Sequence, residues 1–329
     1  MRRLRNGLGL LGLMIMVCLM AGCGPKPAEP AQDQQLLLGF SQLGSESGWR
    51  LGNTQSVEDA AQAAGVRLMM NNANQSQENQ IKAIRSFIAY QVDVIAFSPI
   101  VEDGWDSVLK EAQDAGIPVI VADRKVNVDD RSLYATHIGS DFYDEGVRAG
   151  EYLLRKLATL PPDATLRVVE LAGTTDSSPM LGRAAGFRDT IAGEERITIL
   201  DSRDGDFLIS RGAECMDEML EQYGEKINVI YAHNDAMMYG ALDAIQADGR
   251  FTPGQDIIII SVDGEQRAID LLKEGQVNCV VECTPLLGDI IMEAAYDLAA
   301  GKELQREIYS REGVFTEFDD LSELAPRGY

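Results

Sequence analysis

Nine short apolar runs, each set apart from the next by a stretch of helical periodicity, limit what this chain of 329 residues can fold into. They fall at residues 36–40, 66–70, 94–97, 119–121, 166–171, 197–200, 227–231, 257–261 and 277–282. Between them lie amphipathic patterns: Ile81, Ile84, Phe87 and Ile88 mark one helix face, and Leu287, Ile290, Ile291, Ala294 and Leu298 mark another. Short buried strands alternating with helices of this length predict parallel sheets with right-handed crossovers. Nine strands exceed one open sheet of typical size. The expected fold class is therefore α/β, with two similar lobes, each a parallel sheet flanked by helices. Residues 134–141 read as a crossing between lobes, a strand that ends in small and polar residues before Asp141, a good helix N-cap.

The N-terminus reads as a targeting segment. Arg2, Arg3 and Arg5 precede an apolar run, residues 7–22, that falls short of the roughly 20 residues a membrane span needs. It closes with Leu19-Met20-Ala21-Gly22-Cys23, which looks like the lipobox of a bacterial lipoprotein, Met20 standing where Leu is more usual. The expectation is a lipoprotein signal peptide over 1–22, cleavage before Cys23 and lipidation of its thiol, with two acyl chains giving stable anchorage. A secreted protein with a chance cysteine is the alternative. Residues 23–34 contain Pro25, Pro27 and Pro30 and no large apolar side chain until the fold begins, so they read as an extended tether.

The formal charge is −23, and loss of the three signal arginines leaves 26 basic against 52 acidic residues. Such a body repels phosphates, so no nucleic-acid partner is expected. Cys18 leaves with the signal, while Cys215, Cys279 and Cys283 remain. Extended residues four apart lie about 13 Å from each other, too far for a 279–283 bridge. With two histidines and no CxxC pair, neither a metal site nor a cofactor is expected.

Candidate binding residues collect where the apolar runs end. Residues 40–50 follow the first run and lead into a helical pattern from about Gly52. Here Glu46, Ser47, Gly48, Trp49 and Arg50 place a carboxylate, an indole and a guanidinium within five residues. Carboxylate and guanidinium groups bond vicinal hydroxyls, and a flat indole covers the C–H face of a sugar ring. An ordinary strand-to-helix loop with a polar cap is the alternative. The run at 119–121 leads into Asp123-Arg124, an opposite-charge pair at the carboxyl end of a strand, where open α/β sheets bind ligands.

These stretches resemble the periplasmic sugar-binding proteins that serve ABC importers, the ribose/galactose-binding type I family, and within it the galactofuranose-binding members. The likeness runs from about Leu36 to Gly328-Tyr329. It implies ligand roles for Asp123 and Arg124, for Asn234 within His233-Asn234-Asp235, and for Asp263 before Gly264. It also implies one for Arg183 ahead of residues 184–187, and one for Glu282 at a hinge, in Val281-Glu282-Cys283-Thr284-Pro285, which matches the family's Val-Glu-Leu-Thr-Pro except at Cys283. The resemblance implies a three-strand hinge, with further crossings near 282–285 and Tyr309. The lobes would then be residues 35–139 plus 283–308 and residues 140–282 plus 309–329.

The implied function is a non-enzymatic, monomeric receptor outside the cytoplasm, lipid-anchored at a cell surface or in a periplasm. It would capture a monosaccharide, galactofuranose-like or another hexose or pentose, between closing lobes and deliver it to an ABC transporter permease. The loop 173–179 departs from the small-residue loop of the family, which leaves the sugar open. A receptor feeding a signalling kinase or chemoreceptor would use the same residues. A transcriptional regulator is disfavoured by the lipobox and the missing helix-turn-helix. A glycosidase using Glu46 and Asp263 would need its carboxyls about 5–10 Å apart. Gly7 to Gly12 spells GxGxxG but precedes any strand, and Gly44-Ser45-Glu46-Ser47-Gly48 carries Glu where a nucleophile elbow carries Ser. His137 and His233 have no nucleophile partner in sequence and read as structural or hinge residues.

Overall fold

The computed structural model describes residues 35–329. The expected signal peptide, Cys23 and the tether up to residue 34 lie outside the described residues. In chain order the strands are β1 (Leu37–Gln42), β2 (Arg67–Asn72), β3 (Val94–Phe97), β4 (Val119–Ala122), β5 (Thr136–Gly139) and β6 (Leu166–Ala172). Then come β7 (Ile197–Asp204), β8 (Val229–Ala232), β9 (Ile258–Asp263), β10 (Cys279–Glu282), β11 (Glu307–Tyr309) and β12 (Val314–Thr316). The helices are α1 (Gly48–Ala64), α2 (Gln77–Tyr90), α3 (Asp106–Asp114), α4 (Phe142–Ala158) and α5 (Ser178–Ile191). They continue with α6 (Ile209–Tyr223), α7 (Asp235–Asp248), α8 (Gln266–Lys273) and α9 (Gly288–Ala299).

Two six-stranded sheets result, ordered β11-β5-β4-β3-β1-β2 and β12-β10-β9-β8-β6-β7. Every pairing is parallel except β10 with β12. All nine expected runs are strands. The interior strands β3, β4, β8 and β9 are buried along their whole length, because helices cover both faces. Edge strands β2 and β7 are mostly half-buried or exposed. β7 extends four residues beyond the expected end at Leu200, its polar tail pairing with β6 past a register shift at Val168/Val169.

The chain leaves the first sheet after Gly139, returns after Glu282, and crosses again between Tyr309 and Val314. The fold is thus two lobes joined by three crossings. Tyr309 pairs with Gly139 in the first sheet, so the expected boundary at 308/309 falls inside β11 and the crossing comes later. Asp141 caps α4, its carboxylate accepting the Asp144 amide at 3.2 Å. Apolar clusters cover both faces of each sheet. Among the described residues no helix is long and apolar enough to cross a membrane.

Candidate functional site

The carboxyl ends of β1, β4, β6, β8 and β9 face one another across the cleft. On the first lobe Ser47 caps α1 by accepting the Arg50 amide at 3.2 Å, which fixes the next two side chains. Arg50 is buried and fully engaged: Nε meets Glu46 Oε1 at 3.0 Å, Nη2 meets Asp123 Oδ2 at 2.7 Å, and Nη1 lies 3.3 Å from Ser98 Oγ. Burial works to lower its pKa, but Asp123 and Glu46 outweigh burial and hold it above the ordinary value. Its guanidinium stands 4.7 Å from the centre of the Trp49 ring. Trp49 Nε1 donates to the Cys283 carbonyl at 2.6 Å, so the indole is pinned to the hinge.

Asp123 adopts φ +61°, a left-handed conformation rare for a side-chain-bearing residue. That turn sets Asp123 and Arg124 side by side at the end of β4. Arg124 Nη1 donates to the Ile100 carbonyl at 2.9 Å, and its guanidinium stands 5.2 Å from the Phe207 ring centre. Burial, with Arg50 as a like-charged neighbour, pushes its pKa down to about 10.

On the second lobe Arg183 Nε donates to Glu145 Oε2 at 2.6 Å and Nη1 to the His233 carbonyl at 2.5 Å. Burial acts to lower the Arg183 pKa, yet Glu145, Cys283 and Asp263 together raise it. Asp263 has φ +121°, held by Asp235, whose Oδ2 accepts the Gly264 and Glu265 amides at 2.9 and 2.8 Å. Burial, then the charge of Asp235, pushes the Asp263 carboxyl well above its ordinary range, against the pull of Arg183. Asn234 caps α7 through its Oδ1, 3.0 Å from the Met237 amide, while Nδ2 donates to the Phe207 carbonyl at 3.3 Å. It is therefore a helix cap that also lines the cleft.

These groups converge on one small cavity of about 30 Å³, lined by Glu46, Ser47, Trp49, Arg50, Asp123, Arg124, Phe142, Pro179, Arg183, Phe207, Asn234, Asp263 and Cys283. Three acidic side chains and three guanidiniums line it, so their formal charges are equal in number. Arg124 Nε and Asp263 Oδ2 are buried without a hydrogen-bond partner. Gly48 and Glu282 lie outside the lining. Gly48 backs onto Glu265, to which a Cβ would come within 2.6 Å. Glu282 is taken up by Arg327 and by the Gly313 amide at 2.7 Å. Sequence reasoning missed Phe142, Pro179, Phe207 and Cys283. Pro179 ends the loop 173–179, which departs from the family's small-residue loop. Phe207 depends on the polar end of β7 and on consecutive left-handed residues, Asp206 at φ +55° and Phe207 at +61°.

The lobes are closed on each other. The Lys125 amide donates to Ser178 Oγ at 2.8 Å, and Trp49 packs into the apolar cluster of the second lobe beside Phe142, Val262 and Cys283. His233 Nε2 lies 3.0 Å from Glu170 Oε1, behind the lining, as a structural reading requires. Cys215, Cys279 and Cys283 are buried free thiols. Among the described residues, Glu145, Cys283 and Glu312 bring potential metal ligands within 4.8 Å of one another. Glu145 Oε2 accepts from Arg183 at 2.6 Å, and Glu312 Oε1 accepts from Ser140 Oγ at 2.5 Å and the Thr284 amide at 3.0 Å, while Glu145 Oε1 is buried without a hydrogen-bond partner. Burial keeps the Cys283 thiol well above its ordinary pKa.

A periplasmic binding protein domain matches residues 38–303. The galactofuranose-binding protein of Escherichia coli (strain K12) is 42% identical over 252 residues, covering 76% of this chain and 78% of that protein. The fructose import binding protein of Bifidobacterium longum (strain NCC 2705) is 28% identical over 314 residues, 94% of this chain and 93% of that protein. A Mycobacterium smegmatis structure in complex with β-D-fucofuranose superimposes with a TM-score of 0.83 at 43% identity, covering 86% of this chain and 92% of the other. The binding component of the arabinose ABC transporter from Shewanella sp. ANA-3, bound to α- and β-L-arabinofuranose, gives 0.82 at 40% identity, covering 86% and 92%. Two lobes, three crossings and these matches place the chain in the periplasmic binding protein domain family, with its type I fold.

Proposed function

We propose that the protein is an extracytoplasmic receptor that captures a neutral sugar in its furanose form and delivers it to an ABC importer. The observation that carries this reading is the cavity itself. The lining mixes acidic and guanidinium groups, and its unpartnered Arg124 Nε, Glu46 Oε2 and Asp263 Oδ2 call for a ligand that both accepts and donates hydrogen bonds. The names of the relatives, which bind galactofuranose, fucofuranose and arabinofuranose, support the ring form.

In this reading the first lobe, residues 35–139 with the segment from 283 through Tyr309, contributes Glu46, Ser47, Trp49, Arg50, Asp123 and Arg124. The second contributes Arg183, Asn234 and Asp263. A ligand touching both sets binds the closed state better than the open one, and that difference drives closure. The closed monomer then docks on a permease, tethered through a diacylated Cys23.

A thermal-shift panel of aldoses with ring-locked methyl furanosides and methyl pyranosides tests the proposal, because a ligand of the native state alone raises the Tm. Furanose sugars are expected to raise it. A rise with pyranosides alone would overturn the ring form, and no rise with any sugar would overturn the receptor reading.

A further inference from the structure

The Asp123 backbone is held from behind by β5, the strand that makes the first crossing between lobes. Its amide donates to the Ile138 carbonyl at 2.7 Å, and its carbonyl lies 2.8 Å from His137 Nε2. A Cβ on the next residue, Gly139, would stand 2.6 Å from that carbonyl oxygen, so three consecutive residues of β5 are fitted to one turn. The turn is the left-handed one at φ +61°, which an aspartate keeps only when its surroundings enforce it.

His137 is buried and absent from the cavity lining. Its other ring nitrogen, Nδ1, lies 2.9 Å from Glu307 Oε2 on β11, the strand of the third crossing, where Glu307 is also its register partner. The remaining groups facing the ring are Lys125, with Nζ 3.7 Å from the Glu307 carboxylate, and Tyr309, whose ring centre is 6.4 Å away. A carbonyl and a carboxylate only accept. The geometry is satisfied in full only by a ring with a proton on each nitrogen.

We propose that His137 is a positioning residue: its Nε2–H clamps the Asp123 carbonyl and thereby aims Asp123 and Arg124 into the cavity. This rests on the sugar-receptor reading. It assigns a role in binding to a side chain that touches no ligand, and it ties the site to two of the three hinge strands.

Two substitutions divide the ring's functions. His137→Gln extends a donor to where Nε2 stands, whereas His137→Asn reaches only as far as Nδ1 and keeps only the Glu307 contact. Loss of the clamp leaves a buried carbonyl unpaired and frees the turn, so His137→Asn is expected to weaken sugar binding about tenfold. His137→Gln should stay within about threefold of the native protein, since a neutral amide keeps this one bond. Both are expected to unfold at similar temperatures. Equal affinities for the two variants, whether both native or both weak, would overturn the proposal. Nitrogen-15 spectra of the imidazole in the unaltered protein give a readout that needs no sugar. A proton on Nε2 is expected, and a bare Nε2 overturns the clamp. Should the native protein bind no sugar, the receptor reading fails while these spectra still decide the clamp.

Discussion

Replacing Gly48 by Ala separates closure from folding, because the space the new methyl group needs is taken by the opposite lobe. Gly48 is the first residue of α1, and a Cβ built on it stands 2.6 Å from Glu265 Oε1 and 3.1 Å from Glu265 Cδ. Glu265 follows β9 on the second lobe, with its amide held by Asp235 and its Oε2 accepting from Tyr239 OH at 3.1 Å. Burial raises the Glu265 carboxyl, while Tyr239 and the Trp49 amide at the start of α1 act to lower it. The carboxylate therefore lies at the positive end of a helix belonging to the other lobe. Overpacking a fitted contact costs about 1–3 kcal/mol. Oε1 is the tip of a side chain whose other oxygen is tethered, so the middle of that range applies, about 2 kcal/mol. In the open state the contact is gone, and the whole cost falls on closure, an affinity loss of about 30-fold. Titration calorimetry with the best sugar from the panel measures it, and the unliganded Tm should barely move. Adding Glu265→Ala removes the obstacle, so the double variant should bind more tightly than Gly48→Ala alone. Binding by Gly48→Ala within about twofold of native, or a double variant no better than the single, would refute the reasoning.

Asp263→Asn and Arg124→Ala should each cost about 1.5–3 kcal/mol of sugar affinity, the range for hydrogen bonds to charged groups, and unchanged calorimetric affinities in both would contradict the assigned lining. Stability should depend on pH through Glu312, whose carboxyl burial and the nearby Glu145 push up to about 7 from an ordinary 4.5. The folded state then binds more protons than the unfolded state between those values, so this contribution is present at low pH and is lost as pH rises through about 7. The Tm should fall between about pH 5 and pH 8, and Glu312→Gln, which retains an acceptor for Ser140 and Thr284, should flatten that fall. Asp235, raised to about 7 by burial and Glu265, leaves a residual slope of the same sign. Identical slopes in native protein and variant would count against the assignment.

The interior strands were legible because a strand buried on both faces must be apolar throughout, and β3, β4, β8 and β9 leave unbroken runs. The short strands β11 and β12 have three residues each and owe their pairing to strands more than 30 residues away, a dependence no local pattern records. The site divides along the same physical line. Asp123-Arg124 was readable because both charges come from one strand end. Gly48 and Glu282 were expected among the binding residues and lie outside the cavity lining, since a glycine's purpose is set by the atom that approaches it. Here that atom is a carboxylate oxygen from residue 265, and the group that takes up Glu282 is the guanidinium of Arg327. His137 is the sharpest case. In sequence it reads only as a structural or hinge histidine with no nucleophile, and the parallel register that sets it opposite Glu307, combined with a left-handed aspartate one strand away, is what makes it a clamp. Side chains that grip a ligand tend to betray themselves by chemistry at a strand end. Those that aim the grip are defined by backbone geometry elsewhere, so a reading from sequence will find the first kind and overlook the second.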